Sequence, residues 1–374
     1  MSDDFQKVKS KINIKVIGVG GGGCNAVDCM SEETIEGVTF YGLNTDLQAL
    51  EEKDIENKIQ IGETISRGLG AGADPEIGKQ SAEESREEIM DILKDADMAF
   101  ITAGMGGGTG TGAAPVVASI SKELGILTVG IVTKPFDFEN RENFAKKGIE
   151  ELEKYCDCLL VIPNENLFKI DSEITILNCF KRADDILFKS VKGIAEIITK
   201  SSLINVDFAD VKKVMSYKGN AMLGLGTSNL SEGSIEDAVL NAIETPLLET
   251  KSINGAKGVL INVSAGVDFS IKDLHKIGDI IKQKTREDSI IITGLSVDNP
   301  NEDEISITVV ATDIDNSSYE EDILPPIRNN HETLQKHETL NSNKLDTKQV
   351  ENVKEDILEP KEFNIPSFLR KHSK

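Results

Sequence analysis

The ten residues from Ala103 to Gly112, Ala-Gly-Met-Gly-Gly-Gly-Thr-Gly-Thr-Gly, constrain this chain more than any other stretch. They follow an apolar run, Met98 to Thr102, that predicts a buried strand. They precede Ala113 to Leu124, which predicts a helix with Pro115 in its first turn, where a missing N–H costs little. Five glycines in the seven residues from Gly106 to Gly112 are more than a turn requires, since one or two suffice. At a strand-to-helix junction such a loop bares its backbone N–H groups, and the helix start behind it adds partial positive charge. The stretch is therefore built to wrap an anion, with the Thr109 and Thr111 hydroxyls able to donate to phosphate oxygens.

Charge decides how that anion is held. The net charge is −23, and the residues from Asn316 onward hold 11 acids and 9 bases, so nearly all of the excess lies in the folded body. A general nucleic-acid surface is excluded. A polyphosphate on so acidic a body must be met by backbone dipoles and a metal rather than by a lysine cluster. Five cysteines (Cys24, Cys29, Cys156, Cys158, Cys179) form no CxxC pair and no paired framework, which predicts reduced, cytosolic residues and no zinc site. No apolar run approaches the length of a membrane span, and no signal peptide is legible, so direct membrane insertion is not expected.

Along the chain, Ile12 to Val19 predicts a strand, Gly18 to Gly23 (Gly-Val-Gly-Gly-Gly-Gly) a turn, and Cys24 to Met30 the start of a helix. This satisfies the GxGxxG dinucleotide pattern, although four consecutive glycines match many patterns. A strand at Val38 to Leu43 ends in Asn44-Thr45-Asp46, which either reaches a ribose or a metal-bound water or simply turns the chain. A further glycine loop, Arg67 to Gly72, precedes Asp74-Pro75, a helix cap with proline at the first helical position, and a helical stretch to Leu93. Strands follow at Gly125 to Thr133, left by Lys134-Pro135-Phe136-Asp137-Phe138-Glu139, and at Cys158 to Pro163. Alternating strands and helices, with glycine loops at successive strand ends, describe a Rossmann-like doubly wound parallel sheet.

Ser172 to about Thr199 predicts a long central helix whose wide apolar stripe suits burial between two domains. On it, Phe180 and Asp185 either face a purine or are a core ring and a solvated acid. Beyond it, Asn205, Asp207 and Asp210 are either a helix cap with an acid in the opening turn or a polar cluster able to orient a water. The helix would hold that cluster roughly 40 Å from the glycine loops, too far to act on a phosphate bound there. The run from Asn220 to Asp315 predicts a second, α+β domain: a helix at Glu232 to Ile243, a strand at Gly258 to Ala265, a helix at Ile271 to Lys284, and strands at Ser289 to Leu295 and Glu304 to Thr312 joined as a hairpin. It carries no glycine loop, nucleophile–base pair or metal spacing.

The organisation is thus a flexible N-terminus (1–11), a nucleotide domain (12–171), the central helix (172–200), the α+β domain (201–315), a disordered linker (316–361) and a terminal peptide (362–374). The last, with Ile365, Pro366, Phe368, Leu369 and Arg370, is an apolar-basic knot with no core to join, as expected of a segment that orders on a partner.

Taken together these loops resemble the tubulin/FtsZ family. Gly106 to Gly112 stands as its Gly-Gly-Gly-Thr-Gly-Thr-Gly signature. Gly20 to Asn25, Asn44 to Asp46, Gly68 to Ala73, Pro135 to Glu139 and Asn205 to Asp210 follow in its order and spacing. The resemblance covers residues 12 to about 315 and returns at 363 to 371. It implies a GTPase of bacterial division that uses GTP, GDP and Mg²⁺ and assembles head to tail with itself. Carried over by position, Gly21, Gly22, Gly23, Cys24 and Asn25 lie along the nucleotide, and Ala71 and Gly72 approach the γ-phosphate. Gly107, Gly108, Thr109, Gly110 and Thr111 cradle the phosphates, and Glu139 meets the ribose. Arg141 is the best counterpart of a nucleotide-contacting arginine, across a stretch two residues shorter than the usual pattern. Phe180 stacks on guanine, and Asp185 with Asn25 reads its edge. Asp46 would reach a metal only through water. Asn205, Asp207 and Asp210 would be presented to the GTP of the next subunit, and the terminal peptide to membrane-tethering division proteins at a mid-cell ring.

Two other readings stand beside this one. An NAD-binding oxidoreductase rests on Gly18 to Gly23 alone, leaves Gly106 to Gly112 unused and lacks a His or Tyr proton donor. A non-catalytic nucleotide-switched scaffold would have no use for Asp207 and Asp210.

Overall fold

A strand covered on both faces is apolar nearly throughout, and the first strand of this chain is buried at every position, including Lys15, whose Nζ donates to Ile92 O. The structure is a computed structural model that describes residues 12–31, 35–169, 175–200, 202–217, 220–229, 234–244, 252–297 and 304–314. The N-terminal segment, the linker and the terminal peptide lie outside the described residues.

In chain order the first domain contains β1 (Ile14–Val19), α1 (Gly20–Ser31), β2 (Val38–Asn44), α2 (Leu47–Glu51), β3 (Asn57–Gln60), α3 (Glu63–Ser66), α4 (Pro75–Glu84) and α5 (Arg86–Leu93). It continues with β4 (Met98–Gly104), α6 (Thr109–Glu123), β5 (Leu127–Lys134), α7 (Glu142–Glu153) and β6 (Cys158–Pro163). The six strands form one parallel sheet in the order β3-β2-β1-β4-β5-β6. Alternate residues of β1 serve opposite faces: Ile14 and Val16 join a core with α1, whereas Ile17 and Val19 join one with α5, α6 and α7.

Two helices start earlier than the sequence predicts. α1 begins at Gly20 rather than Cys24, and α6 at Thr109 rather than Ala113, which puts Pro115 inside the helix rather than in its first turn. Glycine's poor helix propensity misleads there, because close packing of the two first turns overrides it. The stretch from Pro75 to Leu93 divides at Ser85, whose Oγ accepts a hydrogen bond from Gly62 N at 3.1 Å. The short edge strand β3 has no counterpart in the sequence pattern.

The second domain follows a helix of 24 residues, α8 (Ile176–Thr199), capped by the Thr175 hydroxyl. At 1.5 Å per residue it is about 36 Å long. Its Val191, Ile194 and Ala195 lie in the core that also holds Val259, Ile261, Val309 and Ile14, so one apolar body spans both domains. Then come α9 (Phe208–Met215), β7 (Asn220–Asn229), α10 (Ile235–Ile243), β8 (Gly258–Ser264), α11 (Ile271–Lys284), β9 (Ile290–Ser296) and β10 (Glu304–Ile314). The sheet order is β7-β10-β8-β9, with β8 and β9 parallel and the other pairs antiparallel. The expected hairpin is therefore wrong: β10 crosses β8 to pair between it and β7, leaving β9 at the edge. β7 is an additional strand that the sequence pattern did not reveal. Among the described residues no helix is long and apolar enough to cross a membrane.

Candidate functional site

The order of the parallel sheet reverses between β1 and β4, and α1 and α6 leave those two strands side by side. A crevice at such a switch point is where doubly wound sheets bind ligands. Here two helix N-termini converge on it. A Cβ on Gly20 would stand 2.7 Å from Gly110 N, and one on Gly110 would stand 2.6 Å from Gly104 O. Gly18 and Gly108 are equally confined, at 2.5 Å from Gly23 O and 2.8 Å from Ala71 Cβ, and Gly23 is pressed against Thr102 O. Gly21 and Gly107 differ. A Cβ on either would meet nothing within 4 Å, and neither has a positive φ. Neither packing nor backbone conformation calls for glycine at those two positions, which leaves their backbone open to the crevice.

Cys24 turns away from this crevice. Its Sγ lies 3.6 Å from Gly18 O and from Leu43 O, and burial pushes the thiol up to about 12. With α1 starting at Gly20, the Cys24 N–H falls within the helix ladder, so neither its thiol nor its N–H is aimed at the crevice. Thr111 Oγ1 accepts from Gly106 N at 2.8 Å, bracing the loop internally, and Thr109 Oγ1 lies 2.6 Å from Thr45 Oγ1. Asp46 caps α2 by accepting from Ala49 N at 3.0 Å, so one of its oxygens is committed to the turn. Ala71 is buried against Gly108, whereas Gly72 is exposed.

At the β5–β6 side, Phe136 is buried and stands edge-on to Phe180 with ring centroids 5.4 Å apart. Phe138 stacks on Phe136 at 5.2 Å and is 64% exposed. Phe180 thus ends an aromatic shelf while remaining only partly buried. Glu139 accepts from Phe136 N at 3.0 Å and so closes its own turn, leaving its other oxygen for a ligand. Arg141 lies against the Gly106 to Gly112 loop: a Cβ on Gly106 would be 3.2 Å from Arg141 Cβ. Asn164, at the end of β6, is 5% exposed and its Oδ1 has no partner.

The two acids on α8 stand in different surroundings. Asp185 is exposed and pairs with Lys189 at 2.9 Å on the outer face. Asp184 instead lies four residues after Phe180, on the same helix face. Burial pushes its carboxyl up to about 7, with Asp28 of α1 adding repulsion and Lys53 opposing it. Asn25 is one turn before Asp28, so Asp184, not Asp185, shares a face with both Phe180 and the α1 row.

Asn205, Asp207 and Asp210 are exposed near the far end of α8. Asp207 occupies the N-cap position of α9, yet its side chain makes no cap hydrogen bond. Asn205 Oδ1 accepts from Ser202 N at 2.8 Å, and Asp210 N donates to Asp207 O at 2.9 Å. The structure does not bring this loop to the glycine crevice of the same chain. Among the described residues no group of three or more His, Cys, Asp or Glu side chains could hold a metal ion.

A sheet that reverses over two bare helix N-termini, with an aromatic shelf beside them, places the protein in the nucleotide-binding doubly wound class. Comparison with known proteins narrows this. The Tubulin/FtsZ family, GTPase domain, matches residues 13–172, and the FtsZ family, C-terminal domain, matches residues 219–315. A cell division protein FtsZ of Buchnera aphidicola subsp. Baizongia pistaciae is 46% identical over 392 residues, covering 99% of this chain and 100% of the relative. One from Wigglesworthia glossinidia brevipalpis is 44% identical, covering 96% of each. A solved FtsZ dimer from M. jannaschii superposes with a TM-score of 0.76 at 44% identity, covering 82% of this chain and 89% of that one. The chain belongs to the tubulin/FtsZ family, within its FtsZ branch. Membership of this GTPase family implies GTP and GDP as ligands and GTP hydrolysis as chemistry, with cell division as the setting. The oxidoreductase reading is not favoured. A GTPγS-bound protofilament of CetZ2 from Haloferax volcanii, at 17% identity and a TM-score of 0.71, shows the fold alone.

Proposed function

We propose that this protein hydrolyses GTP at a site completed between successive subunits of a head-to-tail filament. One subunit holds the nucleotide in its glycine crevice, and the next supplies Asn205, Asp207 and Asp210. The observation that carries this is the idle carboxylate of Asp207, at a cap position where it caps nothing and about one helix length from the phosphates.

Exposed apolar side chains support the same reading at both ends. Around the glycine crevice, Leu69 is 84% exposed, with Ile65 and Leu47 beside it. Around the acidic loop stand Leu203, Ile204, Val267 and Ile271, on the edge where Ile204 pairs with Leu295 at the end of β9. Covering a leucine contributes about 1.5–3 kcal/mol, so a partner's contact here would be favourable. An association of two different faces does not close on itself and propagates.

Within the joint site, loop N–H groups at Gly21 and Gly107 to Thr111 and the two helix starts would stabilise charge developing on the γ-phosphoryl group. Asp207 and Asp210 would polarise the attacking water, and Asn205 would orient it. Mg²⁺ would rely mainly on phosphate and water ligands, consistent with its usual reluctance to shed water. Asp184 would accept from the guanine edge beside Asn25, with Phe180 stacked on the base, Glu139 and Asn164 near the sugar side and Arg141 at the phosphate loop. The terminal peptide at 363–371 would recruit membrane-tethering partners to a division ring; removing it from Glu362 onward should spare turnover and abolish recruitment.

Turnover per mole, measured across protein concentration, tests the shared site. It should fall toward zero below the threshold at which polymer sediments. A constant value down to dilute monomer would overturn the proposal.

A further inference from the structure

Thr45 is fully buried between β2 and α2 and touches three parts of the site. Its Oγ1 lies 2.6 Å from Thr109 Oγ1, in the first turn of α6. Its carbonyl oxygen accepts from Gly70 N at 3.1 Å and from Ser66 Oγ at 3.1 Å. The neighbouring residues extend this tie: Leu47 N donates to Gly68 O at 3.1 Å, and Asp46 bridges Leu69.

The loop held this way carries two residues in a costly backbone conformation. Arg67, Gly68, Gly70, Gly72 and Ala73 all have positive φ, and Arg67 and Ala73 are side-chain-bearing residues in a conformation that Cβ atoms resist. Its far end is wedged against the phosphate loop, where Ala71 and Asp74 N crowd Gly108. Leu69 is held outward at its middle. The loop is therefore strung between Thr45 and Gly108, and both attachments lead to the start of α6.

Two hydroxyls share one hydrogen bond between Thr45 and Thr109. If Thr109 gives its proton to a phosphate oxygen, the bond between them must run from Thr45 to Thr109. Phosphate occupancy would thereby commit the Thr45 hydroxyl to Thr109, while the Thr45 carbonyl holds the loop through Gly70 N and Ser66 Oγ. We infer that Thr45 is the positioning residue through which phosphate occupancy at Thr109 sets the loop carrying Leu69, and so the readiness of that face to associate. The inference rests on reading the glycine crevice as the GTP site. It assigns Thr45 no contact with substrate.

The test uses the full chain with Thr45→Val, Thr45→Ser, Thr109→Val and the Thr45→Val/Thr109→Val pair. Affinities for GTP and GDP and the sedimentation threshold with GTP are measured for each. Thr45→Val is expected to bind GDP within about threefold of the parent, to bind GTP about tenfold more weakly and to raise the threshold about tenfold. Thr45→Ser should restore all three, and Thr45→Val should add little on top of Thr109→Val. Hydrogen exchange at Gly70 N in the unaltered protein gives a second readout that survives if the valine variant fails to fold. Below the assembly threshold, protection should be greater with a non-hydrolysable GTP analogue than with GDP. An unchanged threshold in Thr45→Val, equal impairment by valine and serine, additive losses in the double variant, or equal Gly70 protection would each overturn the inference. If the parent itself bound no guanine nucleotide, the underlying reading would fail instead.

Discussion

The two ends of the long helix α8 are built by opposite rules. At the crevice end, glycines are pressed against backbone, hydroxyls are paired and loops are tied to one another, so the chain's own contacts shape the crevice. At the far end, Asp207 and Asp210 stand exposed, and Asp207 leaves its capping position unused. A binding site must be preorganised to hold a polyphosphate on a body of such negative charge, because the dipoles have to be aimed in advance. An acid that belongs to a neighbour's chemistry has no such need within its own chain. On the proposed reading, the contrast divides nucleotide binding from turnover between two surfaces of one molecule.

The largest effect that would sharpen this division is at Asp210. Asp210→Ala should retain GTP binding and lower turnover by on the order of 100-fold or more; lost binding would instead mean that the loop only supports the fold. Next is Leu69→Lys, which should raise the sedimentation threshold by roughly 10- to 100-fold while nucleotide affinity of the monomer stays within about twofold. Asp184→Asn should weaken guanine nucleotide binding about tenfold, whereas Asp185→Asn should change it less than about twofold; the reverse ranking in a titration would restore Asp185.

Smaller effects separate the glycines. Gly21→Ala should leave the melting temperature unchanged or raised, since its Cβ meets nothing and alanine favours a helix by up to about 1 kcal/mol, yet weaken nucleotide binding several-fold. Gly110→Ala should destabilise the fold by about 1–3 kcal/mol, because its Cβ would stand 2.6 Å from Gly104 O. The smallest effect is in pH. The Asp184 carboxyl is raised from 3.8 to about 7, so the folded, nucleotide-free protein holds a proton that the unfolded chain has lost. Its contribution to stability is complete below about pH 4 and is lost as pH rises through about 7. Asp184→Asn should flatten that part of the stability profile, and guanine binding to the parent near pH 7 should release protons, read by calorimetry in buffers of different ionisation enthalpy.

Much of the crevice was legible in the sequence because a glycine loop after an apolar strand bares backbone N–H groups whatever the rest of the chain does, and Asp74-Pro75 capped α4 as its residue types require. β6 and α11 carry the bounds read from their patterns. What stayed hidden was set by contacts distant in sequence. β7 contains Gly224 and Gly226, poor strand residues by propensity, which are required because α10 lies directly against them. The place of β10 between β7 and β8 is a choice of partner that no local pattern encodes. Thr45 and Asp184 look ordinary in the chain; the fold gives one a hydroxyl partner 64 residues away and the other a helix face shared with Phe180.

The most direct test mixes two proteins that are each inactive. Asp210→Ala binds GTP but lacks the acid, and a variant of the crevice such as Gly107→Leu keeps the acid but loses the nucleotide. Mixed in equal amounts at assembling concentration, they should recover turnover at roughly a quarter of their junctions, where an intact crevice meets an intact acidic loop. Mixed filaments that form with no recovery would contradict a site shared between neighbours.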